Sequence, residues 1–372
     1  MIKIGITGQA GFIGTHLYNY LSVKKGEVEL IPFHDDFFQH QDKLETFVGQ
    51  CDTIVHLAAL NRHNDPQTIY NTNVELVSKL ISALETTGVK PHVLFSSSTQ
   101  EERDNVFGKS KREGRRLLAE WAERNGGIFT GMVIPNVFGP FGNPYYNSVV
   151  ATFSHQLTHN EQPRVEVDAQ LKLIYIGDLV RIIYYLIENR IADNEFRITP
   201  TDEARVTEIL TLLQSFKAKY FEKGIIPDLT DSFERNLFIT FLCYIDHGSY
   251  FPFRLKLNTD ERGSFVETVK LNSGGQISFS TTKPGVTRGN HFHTRKAERF
   301  AVIKGKALIQ LRRIGTDKVM SFELDGHEPS YVDMPVWHTH NITNTGNDDL
   351  YTIFWINEPY DPADPDTFFE QV

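Results

Sequence analysis

The chain has 372 residues, 40% of them hydrophobic and 23% charged, which gives apolar mass for two cores and excludes a disordered chain. A formal net charge of −9 argues against nucleic acid or an anionic membrane surface as the main partner, and 2 cysteines without a CxxC pair exclude a disulfide framework. No run approaches the ~18 apolar residues of a membrane span, and no charged segment precedes the first apolar one, so a cytoplasmic location is expected.

In chain order, Ile2–Thr7 reads as a strand and 12–21 as the helix after it. A second clear strand is expected over 53–57 with a helix over 72–85, then a strand over 92–96 with a helix over 109–124. Strands alternating with helices predict βαβ units, and their unbroken apolar runs predict a parallel sheet covered on both faces. Near His247-Gly248-Ser249 the character changes. Short strands separated by Gly, Asn and Asp turns follow at Gln276–Thr282, 299–304, 307–312, 319–324, 331–334 and 350–357, the pattern of a sandwich or barrel. The expected fold is an α/β Rossmann-type doubly wound parallel sheet over residues 1–246, followed by an all-β cupin (jelly-roll) barrel over 247–372.

The turn Gly8-Gln9-Ala10-Gly11-Phe12-Ile13-Gly14 follows a strand and opens a helix, the context that gives spaced glycines a meaning. Gly8 permits the tight turn, Gly11 lets backbone approach a pyrophosphate, and Gly14 lets helix and strand pack closely. Backbone N–H groups at Phe12 and Ile13, at the helix N-terminus, would face the phosphates. With Leu57-Ala58-Ala59, Asn73, Phe95-Ser96-Ser97-Ser98, Pro135-Asn136-Val137-Phe138-Gly139-Pro140 and Tyr175-Ile176-Gly177-Asp178-Leu179, this half resembles the extended short-chain dehydrogenase/reductases. The resemblance implies a bound NAD(P), with Gly8, Gly11, Phe12, Ile13, Gly14, Leu57, Ala58, Ala59 and Lys111 around it. Phe33-His34-Asp35-Asp36 offers acids for a ribose 2′-hydroxyl and Arg62 a partner for a 2′-phosphate, so NAD(H) and NADP(H) both stay open.

That family uses Tyr-x-x-x-Lys with an upstream Ser or Thr. Here Lys111 and Ser98 hold the lysine and hydroxyl positions, but Phe107 stands where the tyrosine would be. Phenylalanine cannot pass a proton to a carbonyl oxygen, and a positioned acid contributes typically ~10²–10⁴ in rate. Ser98, Thr99 or a water could supply the proton, the phenylalanine could be an introduced substitution, or this half could bind without turnover.

Gly285-x5-His291-x-His293-x4-Glu298-x6-Gly305 matches a first cupin motif, and Pro335-Val336-Trp337-His338-Thr339-His340-Asn341 a second, with Trp337 in place of its glycine. Residues i and i+2 of a strand share a face, so His291 and His293 aim together, with Glu298 and His340 joining from neighbouring strands. Three imidazoles and a carboxylate suit a divalent transition metal, zinc first among Zn, Fe, Mn and Ni, or else a metal-free catalytic histidine cluster. Trp337 either narrows a pocket or fills the barrel mouth. His338 and Tyr351 are further polar candidates, for which ordinary structural roles are expected.

Asp260-Glu261-Arg262-Gly263-Ser264-Phe265 and Thr287-Arg288-Gly289-Asn290-His291-Phe292 are similar to the sugar-epimerase cupins, which implies that His291 acts as a base at a carbon beside a ketone. End to end, through Asn147-Ser148-Val149-Val150-Ala151-Thr152-Phe153 and the tail Asp361-Pro362-Ala363-Asp364-Pro365-Asp366-Thr367, the chain resembles the CapF-type capsular polysaccharide synthesis family. That implies a UDP-4-keto-6-deoxy-amino sugar substrate, inverted at C3 by the cupin and then reduced at C4 by the first half, and by analogy a homodimer or higher homo-oligomer. Two other readings stand beside it. One is an NAD-dependent nucleotide-sugar 4-epimerase or dehydratase. The other is a redox-inactive nucleotide-sugar-binding protein with an active cupin.

Overall fold

The computed structural model describes residues 1–260, 263–266, 268–271, 275–358 and 361–372, without the side chains of 257–260 and 263–266. The epimerase-like stretch Asp260-Glu261-Arg262-Gly263-Ser264-Phe265 therefore lies outside the described residues or on undescribed side chains.

By packing, the chain forms two compact units, Met1–Phe138 with Gln170–Ala204, and Gly139–Ala169 with Arg205–Val372. The first holds a parallel sheet in the order Val28–Ile31, Ile2–Thr7, Thr53–His56, His92–Ser98, Ile128–Ile134, Asp193–Arg197. Strand order reverses around Ile2–Thr7, so the loops after Thr7 and His56 flank the switch point at which ligands of such sheets bind. The apolar runs of its middle strands are buried, as a sheet covered on both faces requires. Phe33, Phe38, Phe47, Leu80, Phe95, Leu118 and Trp121 fill the core on one side. The sequence reading missed the edge strands Val28–Ile31 and Asp193–Arg197, the latter nearly all polar, and also the buried, apolar inner strand Ile128–Ile134. The expected helix over 72–85 runs longer, over Pro66–Thr87, because Asp65 caps it and Pro66 opens it.

The second unit contains a jelly-roll of two antiparallel sheets. One orders Ser330–Met334, Glu298–Lys304, Leu350–Ile356 and Gln276–Thr282, and the other Val319–Asp325, Lys306–Arg313, His338–Asn344 and Thr287–Phe292. Alternation along Lys306–Arg313 buries Ala307, Ile309 and Leu311, which pack with Phe322, Leu324, Val332 and Ile342. Residues 139–169 and 205–246 belong to this unit by packing, so it does not follow a chain division at 246/247. A buried ion pair ties Gly224 to the barrel. The Arg299 guanidinium forks onto Asp333 at 2.8 and 3.1 Å, donates to the Gly224 carbonyl at 3.1 Å, and stacks 3.7 Å from the Tyr331 ring centre. Phe141 likewise lies 3.7 Å under the Arg313 guanidinium. Among the described residues, no helix is long and apolar enough to cross a membrane.

Candidate functional site

Gly8 ends the first strand in a left-handed backbone, φ 69°, and a Cβ there would lie 2.7 Å from the Ala58 nitrogen. Only glycine meets both demands. Gly14 is buried, and a Cβ there would come within 2.3 Å of the Gly8 carbonyl oxygen, so the position has no room for a side chain. Gly11 precedes the helix Phe12–Ser22 without any side-chain cap, so the first N–H groups, at Phe12 and Ile13, keep their donors. The loop carrying Leu57, Ala58 and Ala59 is tied to the same turn. Leu57 N–H donates to the Thr7 carbonyl at 3.1 Å, and the Thr7 hydroxyl sits 2.7 Å from His56 Nδ1. All eight of these predicted cofactor residues come together at the switch point. The acids offered for the ribose differ in their commitments: Asp36 pairs with Lys43 at 2.7 Å, whereas Asp35 is exposed at the start of a short helix.

Lys111 is buried on the helix Val106–Asn125, where burial pushes its ammonium down to about 8. Its Nζ donates to the Ser96 hydroxyl at 3.4 Å and lies 5.1 Å from the Phe95 ring centre and 5.7 Å from that of Phe107. Lysine and tyrosine position are thus adjacent, one turn apart, but the neighbour is a ring without a hydroxyl. Ser98 ends the strand His92–Ser98 and accepts from the Gln100 N–H at 3.2 Å, which leaves its own O–H to donate. Thr99 begins the short helix that follows.

Asn73, quoted for the resemblance without a role, joins this site mechanically. Its side chain takes the Leu60 N–H at 2.7 Å, and its amide reaches the Leu60 carbonyl at 3.1 Å and the Ser110 hydroxyl at 2.9 Å. Ser110 donates on to the Phe107 carbonyl at 2.7 Å. The sequence reading missed Glu101 altogether. This buried carboxylate accepts from Ser97 at 2.7 Å and from Arg115 at 2.8 and 3.2 Å, fixing the turn after Ser98. An acid followed 14 residues later by an arginine on a helix is too common a pattern to have announced it.

In the barrel, His291 and His340 face each other across paired strands, and His340 continues the inward row of Ile342 opposite Ile309 and Leu311. His293 follows its strand directly, and Glu298 opens the next. One nitrogen or carboxylate oxygen from each of His291, His293, Glu298 and His340 lies within 4.8 Å of all the others. Glu298 Oε2 is 3.2 Å from His293 Nε2 and 3.0 Å from His340 Nε2, yet these three buried atoms form no well-directed hydrogen bond. Buried polar atoms that converge without satisfying one another fit a divalent cation at their centre. The opposite ring edges are anchored: Nδ1 of His293 meets the Asp366 carbonyl at 2.5 Å and Nδ1 of His340 meets the His338 carbonyl at 3.2 Å. A carbonyl only accepts, so both Nδ1 atoms carry the proton and both Nε2 lone pairs face the cluster. Burial, reinforced by His340 and His293, lowers His291 to about 4.

Trp337 is buried, stacks on Phe292 with ring centres 5.5 Å apart, and adopts φ 58°, the left-handed backbone that accounts for a glycine in the motif. His338 is a buried neutral imidazole, pushed down to about 3 by burial and by His247, on which it stacks. Tyr351 sits between buried Leu350 and Thr352, and so points to the other side of its strand, beside Lys304.

Residues 4–198 match the NAD dependent epimerase/dehydratase family, and residues 258–368 match the polysaccharide biosynthesis C-terminal domain. The chain is 34% identical to a UDP-2-acetamido-2,6-beta-L-arabino-hexul-4-ose reductase of Pseudomonas aeruginosa, over 99% of this chain and 98% of that protein. Its structure superposes on the capsular polysaccharide assembling protein CapF of Staphylococcus aureus with a TM-score of 0.63 and 34% identity, covering 100% of each chain. The chain belongs to the CapF-type family, an NAD dependent epimerase/dehydratase joined to a polysaccharide biosynthesis C-terminal domain. The fold of its first half also resembles RMD of Pseudomonas aeruginosa, solved with NADPH, at a TM-score of 0.53 and 21% identity over 59% of this CapF-type chain and 83% of that one.

Proposed function

We propose that this chain is a bifunctional nucleotide-sugar enzyme. Its cupin epimerises C3 of a UDP-4-keto-6-deoxy-N-acetylhexosamine, and its first half reduces C4 with NAD(P)H, toward UDP-N-acetyl-L-fucosamine for capsule or O-antigen polysaccharide. The observation that carries the reading is the pairing of two sites on one chain: a glycine turn at a sheet switch point and a converging histidine–carboxylate cluster in a barrel.

His293, Glu298 and His340 would hold a divalent metal, zinc first, leaving His291 beside them free to act as the base, and the glycine turn with Leu57, Ala58, Ala59 and Lys111 would hold NAD(P)H. When bound, the nicotinamide supplies hydride and the metal supplies charge stabilisation beside the ketone. The C4 ketone acidifies the hydrogen on C3. The half-buried His291 removes that proton, and return of a proton to the other face inverts the carbon. In the first half, Lys111 holds a positive charge beside the reacting oxygen, and Ser98 supplies the free O–H that Phe107 lacks. The relative named above as a hexul-4-ose reductase supports the ketone substrate.

Phe107 favours a second reading, in which the first half binds NAD(P) and nucleotide sugar without turnover while the cupin works alone. Incubation with the 4-keto UDP-amino sugar and NADPH or NADH in D2O separates the two. Cofactor oxidation with deuterium at C3 is the expected result. Deuterium without oxidation favours the second reading, and the absence of both events sinks the substrate assignment.

A further inference from the structure

The segment Asp361-Pro362-Ala363-Asp364-Pro365-Asp366-Thr367 packs against the loop that follows His293. Asp366 is 4% exposed and sits in a left-handed backbone, φ 42°. Its carboxylate gathers the amides of three successive residues: Thr294 N–H at 3.2 Å, Arg295 N–H at 2.9 Å and Lys296 N–H at 3.2 Å. The Thr294 hydroxyl adds a fourth donor at 2.6 Å. Consecutive amides aimed at one anion form a nest, and a carboxylate in a nest is held far more rigidly than a surface acid. The nest begins one residue after His293. From the same Asp366, the backbone carbonyl accepts His293 Nδ1–H at 2.5 Å. Flanking contacts strap the segment on both sides: Lys296 Nζ donates to the Pro365 carbonyl at 2.7 Å, and Arg295 meets the Asp364 carboxylate at 2.9 Å.

We propose that Asp366 is a positioning residue for His293: its side chain locks the turn that follows His293, and its carbonyl fixes the imidazole with the Nε2 lone pair toward Glu298 and His340. The proposal rests on the reading of that cluster as a metal centre. One residue works both ends of a lever. The nest sets where the Asp366 carbonyl stands, and the carbonyl selects the tautomer that leaves Nε2 unprotonated. Outer partners of this kind are worth 10- to 100-fold in metal affinity in metal centres generally.

The test uses the full chain and Zn2+ alone as probe. Affinity is measured by competition with a chromogenic chelator, folding by circular dichroism, and the His293 tautomer by long-range 15N–1H correlation in metal-free protein. Asp366→Gly keeps the carbonyl and tolerates the left-handed backbone while deleting the carboxylate. It is expected to lose roughly 10- to 100-fold in zinc affinity and to show mixed tautomers at His293. Asp366→Asn, which keeps one acceptor oxygen, is expected to lose less, and it carries the test if the glycine variant does not fold. Arg312→Ala breaks the tail's contact to Glu370 at 2.9 Å, away from the nest, and should lower thermal stability while leaving affinity per folded molecule unchanged. A folded Asp366→Gly or Asp366→Asn with wild-type affinity and a pure Nδ1–H tautomer overturns the proposal. If the natural chain binds no zinc, the metal reading falls instead, and the tautomer comparison still decides whether Asp366 positions His293.

Discussion

Each half departs from its motif at one position, and each departure puts an aromatic ring where another residue is expected, but the two are not alike. Phe107 removes a reacting group: the ring lies 5.7 Å from Lys111 Nζ, where a phenol would stand. Trp337 removes only a backbone freedom: the chain still takes φ 58°, the ring packs on Phe292, and all four cluster residues remain in place. A motif letter can encode chemistry or conformation. Conformational letters can be overruled by packing energy, whereas chemical ones have to be replaced by another group.

The largest expected effect lies where the motif is intact. His291→Gln removes the base and one of the four converging atoms, and C3 deuterium exchange is expected to fall by about 10²–10⁴. Exchange retained within tenfold would assign the proton transfer to another residue and turn the comparison around. In the other half, Phe107→Tyr restores the missing acid. Hydride oxidation is expected to rise by roughly 10–10³, less than the full ~10²–10⁴ of a positioned acid because Ser98 already supplies part of that role. The gain should fade as pH rises through about 8, since Lys111 is charged only below that value. No gain would mean that Phe107 is not the deficiency it resembles. Gly8→Ala comes next. It combines a left-handed backbone with a Cβ 2.7 Å from the Ala58 nitrogen, and strain of roughly 1–3 kcal/mol corresponds to about a 5- to 150-fold loss of NAD(P)H affinity. Unchanged affinity by fluorescence titration would remove the turn from the cofactor site.

How much of this was legible follows the same division. Short-range patterns carried both sites: Gly8, Gly11 and Gly14 act within one turn, and His291 and His293 share a strand face by simple alternation. The edge strands were not legible, because Asp193–Arg197 is nearly all polar and gains its place by pairing with Ile128–Ile134. Nor were the supports. Asn73 reaches Ser110 across 37 residues, and Asp366 reaches Thr294 across 72. Such pairings are made by tertiary packing, and nothing local in the sequence records them. The packing division of the chain was hidden for the same reason, since Gly224 and Phe141 belong with the barrel through Arg299 and Arg313.

The smallest effect on activity is expected at Trp337, and it tests the comparison most directly. Trp337→Gly relieves a left-handed backbone worth roughly 1–2 kcal/mol. It also empties a buried site whose aromatic truncation costs about 3–5 kcal/mol. The second term is larger, so the protein should be destabilised by ~1–4 kcal/mol, read as a lower thermal midpoint, while deuterium exchange per folded molecule stays within a few-fold of the natural chain. Phe292 supplies the check. If packing is what the tryptophan is for, Phe292→Leu should destabilise in the same direction, and the two changes together should cost less than their sum, because both remove the one 5.5 Å stack. A stable Trp337→Gly with lost exchange would give the ring a role toward the sugar. The second departure would then be chemical like the first, and the distinction between the halves would disappear.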